Sequence, residues 1–249
     1  MSSYSQRSRN LYNPQSSEPF SVSRSGIDLF LECPRCFYLD KKLGLGRPSL
    51  PGWSLNSAVD TLLKSEFDIL RENGERHKLM EKYHIQAVPF NHPDLSIWRN
   101  NLKGAFVIHT PTNLKISGAI DDVWVNKDTD ELYIVDYKST STNGDISLDD
   151  EYRQGYKRQM EVYQWIFRQM GFVVSNTGYF VFANALKNLP KFDGRLEFNL
   201  SILPYEGNDS WVEPTIYQIK ECLNSNVVPD PSPTCQYCAY RQFIERELS

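Results

Sequence analysis

Apolar positions along the chain switch between helical and strand periods in an order that outlines an α/β core. Ser25-Gly-Ile-Asp-Leu-Phe-Leu-Glu32 predicts a helix opened by a serine cap. From Ser54 to about Glu72, Leu55, Ala58, Val59, Leu62, Leu63, Phe67 and Leu70 recur at steps of three and four. They predict an amphipathic helix with one apolar stripe. Residues 73–103 are polar and mixed and read as a variable insert. Strands are expected at 104–109, 115–125, 132–138, 177–183 and 196–202; the last alternates cleanly, while 177–183 is an apolar run of the buried kind. Tyr156, Met160, Tyr163, Phe167 and Met170 predict a helix from about Glu151 to Met170. A helix capped by Asp209 carries Trp211, Ile216, Ile219 and Leu223, and the proline-rich stretch 227–234 ends regular structure before Cys235. This order implies an α/β fold, a mixed central sheet flanked by helices.

Two of the strands carry carboxylates where geometry makes them matter. If Val125 pairs with Leu132 across the turn at 126–131, Asp121 falls opposite Asp136. Opposed side chains sit roughly 4.5–5.5 Å apart at Cβ, and two like charges there are destabilising. A divalent cation between them is the economical reason to keep both, and removing either aspartate would relieve the repulsion. Lys138, two residues beyond Asp136, shares its face. Hard cations such as Mg²⁺ or Mn²⁺ take oxygen ligands, so Asp121, Asp136 and the Tyr137 carbonyl suit one. Lys138 suits the charge that develops when a phosphodiester is hydrolysed. The bland alternative makes these strand-end residues in water, but Asp136 follows Tyr-Ile-Val, where an unpaired carboxylate is costly.

Composition changes this picture little. A chain of 249 residues, 40% apolar and 23% charged, has room for a full core and reads as one domain over 21–249. The first twenty residues are polar and read as a disordered tail. With no apolar h-region there and no apolar run of membrane length, the expectation is a cytoplasmic protein without a membrane partner. The formal charge of −4 gives no global attraction for nucleic acid, so a local basic patch would have to supply it. Four of five cysteines form two C-x-x-C pairs, Cys33/Cys36 and Cys235/Cys238, which read as ligands of one closed metal centre. Thiolate chemistry allows either tetrahedral zinc or an iron–sulfur cluster. Cys222 reads as packing.

Gly118-Ala-Ile-Asp121, then Asp136-Tyr-Lys138, then Gln159-Met-Glu-Val-Tyr163 resembles the PD-(D/E)XK nuclease superfamily, specifically its RecB-like branch. The resemblance implies a restriction-endonuclease-like core and a Mg²⁺- or Mn²⁺-dependent DNA nuclease, with Asp121, Asp136 and Lys138 catalytic. It implies repair, recombination or defence as the setting, and Gln159 and Tyr163 facing the DNA or the active site. With no Gly-rich nucleotide loop in the chain, unwinding falls to a helicase or other partner. That branch usually adds a histidine ligand on the helix before the sheet. Here His77, His84, His92 and His109 lie off the 54–72 helix, and Asp60 stands near that position, with Glu66 as a second candidate. Spacing alone equally makes Asp60 the i+4 partner of Lys64. The cysteine ends are similar to those of AddB-type and CRISPR-associated members, which hold a [4Fe–4S] cluster with one cysteine before the core and three after. Ile244 stands about where the last would be, and Cys36 would take its role, an arrangement that keeps Zn²⁺ open. A non-catalytic DNA-binding or scaffold protein of the same fold is the alternative function.

Overall fold

The computed structural model describes residues 6–48, 52 and 54–248. In chain order the elements are β1 (Phe20–Ser23), α1 (Arg24–Glu32), α2 (Pro34–Leu43), α3 (Ser54–Asn73), α4 (Lys78–Lys82), β2 (Ala87–Pro89), α5 (Leu95–Trp98), β3 (Ala105–His109) and β4 (Leu114–Gly118). They continue with β5 (Asp122–Asn126), β6 (Leu132–Thr140), α6 (Gln154–Gln169), β7 (Thr177–Ala185), β8 (Phe198–Glu206), α7 (Val212–Asn224) and α8 (Gln236–Glu247). The chain packs as two compact units. One comprises residues 1–51, 107–117 and 210–249; the other comprises 52–106 and 118–209.

The second unit is built on a five-stranded mixed sheet of order β2-β5-β6-β7-β8. β5 and β6 are antiparallel with Val125 opposite Leu132, the expected register. β6 and β7 are parallel, so their connection needs a crossover, and α6 supplies it. Alternation along β6 then divides its side chains. Val135 and Tyr137 join Leu63 and Phe67 of α3, with Trp124 and Val181, in one core. Asp136 and Lys138 point the other way and meet Gln159 of α6. The α3 stripe is narrower than its spacing suggests: Leu63 and Phe67 are buried and Val59 packs against them, while Leu55 and Leu62 are exposed.

The expected strand at 115–125 is broken. β4 runs beside β1 in a three-stranded sheet of order β1-β4-β3, and β5 belongs to the five-stranded one. Between them Ile120 donates its N–H to the Trp98 carbonyl at 3.2 Å, an irregular bond that ends the ladder. Gly104 sets the neighbouring turn at φ +64°, and a Cβ there would lie 2.7 Å from the Gly118 carbonyl oxygen. Sequence pattern also missed β2, three buried residues (Ala87–Pro89) inside the mixed 73–103 stretch that pair with β5. A strand that short carries no readable period.

The first unit packs α1, α2 and α7 with the β1-β4-β3 sheet. Its helix α1 is capped by Ser23, whose hydroxyl accepts from Gly26 N–H at 3.2 Å, two residues before the expected Ser25. The polar segment read as a tail makes contacts from residue 6 onward: Gln6 Nε2 donates to the Leu43 carbonyl at 2.7 Å. Arg7 N–H bonds the Gly44 carbonyl at 2.9 Å, and buried Tyr12 donates its hydroxyl to Asn224 Oδ1 at 2.5 Å. An aromatic ring with a bonded hydroxyl is enough to fix an otherwise polar segment. Residues 1–5 of that tail lie outside the described residues.

Candidate functional site

Asp136 sits at the middle of the five-stranded sheet, in β6 between β5 and β7, and its side chain is fully buried. A carboxylate there must be compensated. Lys138 forms an ion pair with its Oδ2, and Gln159 of α6 donates from Nε2 to its Oδ1 at 2.8 Å. Lys138 in turn donates to Gln159 Oε1 at 3.2 Å, closing a triangle. Burial alone would lower the Lys138 pKa; the carboxylates of Asp136 and Asp121 outweigh it and hold the ammonium charged, above the usual lysine range. Tyr163, one helical turn after Gln159, receives a 3.3 Å bond from the Gln159 amide and donates its hydroxyl to the Ala119 carbonyl at 2.6 Å. The pair therefore ties α6 to both halves of the site.

Asp121 immediately precedes β5, so it is not a ladder partner of Asp136 as direct opposition would require. Its Oδ2 accepts the Tyr137 N–H at 2.9 Å, and its Oδ1 lies 2.9 Å from Lys64 Nζ. Lys64 also bonds Asp60 Oδ2 at 2.8 Å. Spacing suggested a plain Asp60–Lys64 surface pair; the fold adds Asp121 to it, so α3 and the start of β5 meet through one ammonium. Burial first, then the charge of Asp121, raises the Asp60 pKa above the ordinary carboxylate value despite Lys64. Burial opposes the charge of Lys64, but Asp121 and Asp60 prevail and raise its pKa. Like charge on the aspartates is thus answered by two lysines. Glu66, the second helix candidate, faces elsewhere and lies 2.8 Å from His77 Nε2.

A neighbouring residue carries a role that the sequence did not suggest. Asp122 points to the α3 face and is fully buried. Arg71 Nη2 donates to its Oδ1 at 2.5 Å, Arg99 Nη2 is 3.1 Å away, and the Tyr137 hydroxyl donates to Oδ2 at 2.7 Å. Asp68 completes the set, with Arg99 Nη1 at 2.8 Å and Arg71 Nε at 3.1 Å. Two carboxylates and two guanidiniums balance, as a buried ionic network requires. Arg99 Nε also bonds the Asp121 carbonyl at 2.7 Å, so the network grips the backbone that presents Asp121. Burial and the adjacent Asp122 push the Tyr137 hydroxyl well above its usual pKa. The Asp-Asp dipeptide was the one available signal: in a strand, one of two adjacent acids must face inward.

In the first unit, Cys33, Cys36, Cys235 and Cys238 are all buried, and their sulfurs lie within 4.8 Å of one another. Among the described residues this is the one set of three or more cysteine, histidine or acidic side chains that closes to that spacing. The aspartates around Lys64 and Lys138 are more widely held. Their oxygen donors suit a hard divalent cation, and the sulfur donors a softer metal.

The sequence profile of the PD-(D/E)XK nuclease superfamily matches residues 55–243. No curated protein matches the chain at a significant level. The match begins in α3, ends in α8 and takes in the whole aspartate–lysine site as well as Cys235 and Cys238. Coverage of that extent, on a mixed sheet flanked by helices, places the chain in the PD-(D/E)XK nuclease superfamily.

Proposed function

We propose that this chain is a Mg²⁺- or Mn²⁺-dependent deoxyribonuclease of the RecB-like branch, acting on DNA ends or single strands in repair, recombination or defence. The observation that carries this reading is Asp136, buried in mid-sheet yet given a lysine and a glutamine on one face and Asp121 at the adjoining strand end. Asp121, Asp136 and the Tyr137 carbonyl would hold the cation, with Asp60 as a further oxygen donor. Bound there, it would supply Lewis acidity and a water of lowered pKa.

The residues of the chain do the rest. Lys138, charged and fixed by Asp136 and Gln159, stabilises negative charge on the phosphoryl group as the bond breaks. Gln159 keeps that ammonium and the Asp136 carboxylate in register. Tyr163, anchored on the Ala119 carbonyl, holds the turn leading to Asp121. Lys64 neutralises Asp60 and Asp121 and yields them when the cation binds. Unwinding is left to a partner protein.

Linear and circular single-stranded DNA, incubated in parallel with the protein and Mn²⁺, test this reading. Degradation of the linear strand with sparing of the circle is the expected result. Cutting of the circle would replace an end-dependent activity with an endonuclease, and no cleavage of either would favour a DNA-binding or scaffold role.

A further inference from the structure

The four-cysteine centre has dimensions that discriminate between metals. Its Sγ–Sγ separations are 3.8 Å for Cys33–Cys238 and 3.6 Å for both Cys36–Cys235 and Cys36–Cys238. The remaining pairs lie within 4.8 Å. A tetrahedron of thiolates around one zinc, with Zn–S of about 2.3 Å, has edges of about 3.8 Å. A [4Fe–4S] cluster must instead fit four irons and four sulfides between the cysteines, each sulfur bonded to its own iron. Sulfurs already at contact distance leave no volume for that core. The donor set fits a single ion and does not fit the cluster.

Local structure supports the same assignment. Cys33 is the N-cap of α2 and Cys235 the N-cap of α8, and Cys36 and Cys238 occupy the third position of the respective helices. The two C-x-x-C units are therefore equivalent: the Phe37 N–H bonds the Cys33 carbonyl at 3.1 Å, and Ala239 N–H bonds that of Cys235 at 3.0 Å. Neither thiol makes the side-chain cap bond that is the usual use of that position. Both thiols turn to the shared centre instead. Two helix N-termini direct positive potential at a tetrathiolate that keeps two negative charges when a divalent ion is bound. Further donors reach the sulfurs. Arg47 Nη2 lies 3.5 Å from Cys235 Sγ while also pairing with Glu32, and Ser232 N–H lies 3.5 Å from Cys33 Sγ. Such outer contacts orient ligands and temper their charge.

We infer that Cys33, Cys36, Cys235 and Cys238 bind one Zn²⁺ ion in a closed tetrahedral S₄ site that joins the N-termini of α2 and α8, in place of an iron–sulfur cluster. The test is elemental and spectroscopic, on the full chain produced with iron supplementation and purified without oxygen. One zinc per chain in a colourless protein is expected. Iron and acid-labile sulfide near four per chain, with a visible charge-transfer band, would overturn the assignment. Exchange with Co²⁺ is expected to give the intense visible d–d bands of a tetrahedral thiolate site; weak octahedral bands would overturn it. Cys36→Ser should drop zinc well below one per chain. Should that variant fail to fold, mercurial titration of the native chain decides: zinc released in step with four thiols supports the site, and four thiols reacting without zinc release contradicts it.

Discussion

At the scale of single residues, the site is an arrangement of charges that mostly satisfy one another. Two aspartates opposed on paired strands suggest repulsion relieved by a metal, and on that basis losing either would leave the fold intact or slightly more stable. The structure changes that expectation for Asp136, because Lys138 lies against it with little exposure. Asp136→Ala strands a buried ammonium, a loss on the order of 3–5 kcal/mol when one partner of a buried pair goes. Denaturant unfolding of Asp136→Ala beside Asp136→Asn should show it, with the asparagine variant much the milder. Lys138→Ala should lower turnover by about a hundredfold or more, the usual scale for one transition-state partner, while DNA binding survives. Asp122 answers to stability rather than chemistry. Asp122→Ala leaves the Tyr137 hydroxyl without its acceptor and only Asp68 to answer Arg71 and Arg99, and should cost about 3–5 kcal/mol in the same unfolding assay. An unchanged midpoint would show that the network is ornamental.

At the scale of elements, α6 is the part that turns a sheet into a site, since it brings Gln159 to Asp136 and Tyr163 to Ala119. Its seat on the sheet depends on Gly178 of β7, where a Cβ would meet Met160 Sδ at 2.3 Å and its Cγ at 2.8 Å. Gly178→Ala should therefore lift α6, cost about 1–3 kcal/mol as overpacked cores do, and weaken cleavage with every catalytic residue present. Retained activity and stability would show that Met160 simply swings aside. The long periodic elements were legible: α3, α6 and the β5–β6 hairpin follow from their spacing, and so does the hairpin register. Asp136, Lys138, Gln159 and Tyr163 meet because strand and helix periods put each pair on one face. What spacing could not give was contact between elements distant in sequence. Lys64 joining Asp60 to Asp121, the arginines on Asp122 and the break at Ala119–Asp121 all depend on how α3 and the 95–104 turn pack. The α3 stripe is narrower than its spacing for the same reason: Leu55 and Leu62 lie on the right period but are exposed.

At the scale of the molecule, the chain forms one unit from two segments and the other from three. Among the described residues, no helix is long and apolar enough to cross a membrane. The three-segment unit holds its cysteine ligands up to 205 positions apart in sequence. Closing a loop of that length removes unfolded-state entropy worth about 5 kcal/mol by the chain-entropy treatment of cross-links. Stripping the metal with a thiol-reactive agent should accordingly lower the melting temperature of that unit by many degrees, whereas EDTA at levels that clear only the aspartate site should not. The aspartate site, by contrast, is assembled wholly within the other unit, and the proposed function rests on it. The most direct test is digestion of end-labelled linear single-stranded DNA by the native chain and by Asp136→Asn, each with Mn²⁺ and with EDTA. Cleavage by the native chain that requires Mn²⁺ and vanishes in a folded Asp136→Asn variant is the predicted result. Cleavage that persists in that variant, or that ignores EDTA, would contradict a metal-dependent nuclease centred on Asp121, Asp136 and Lys138.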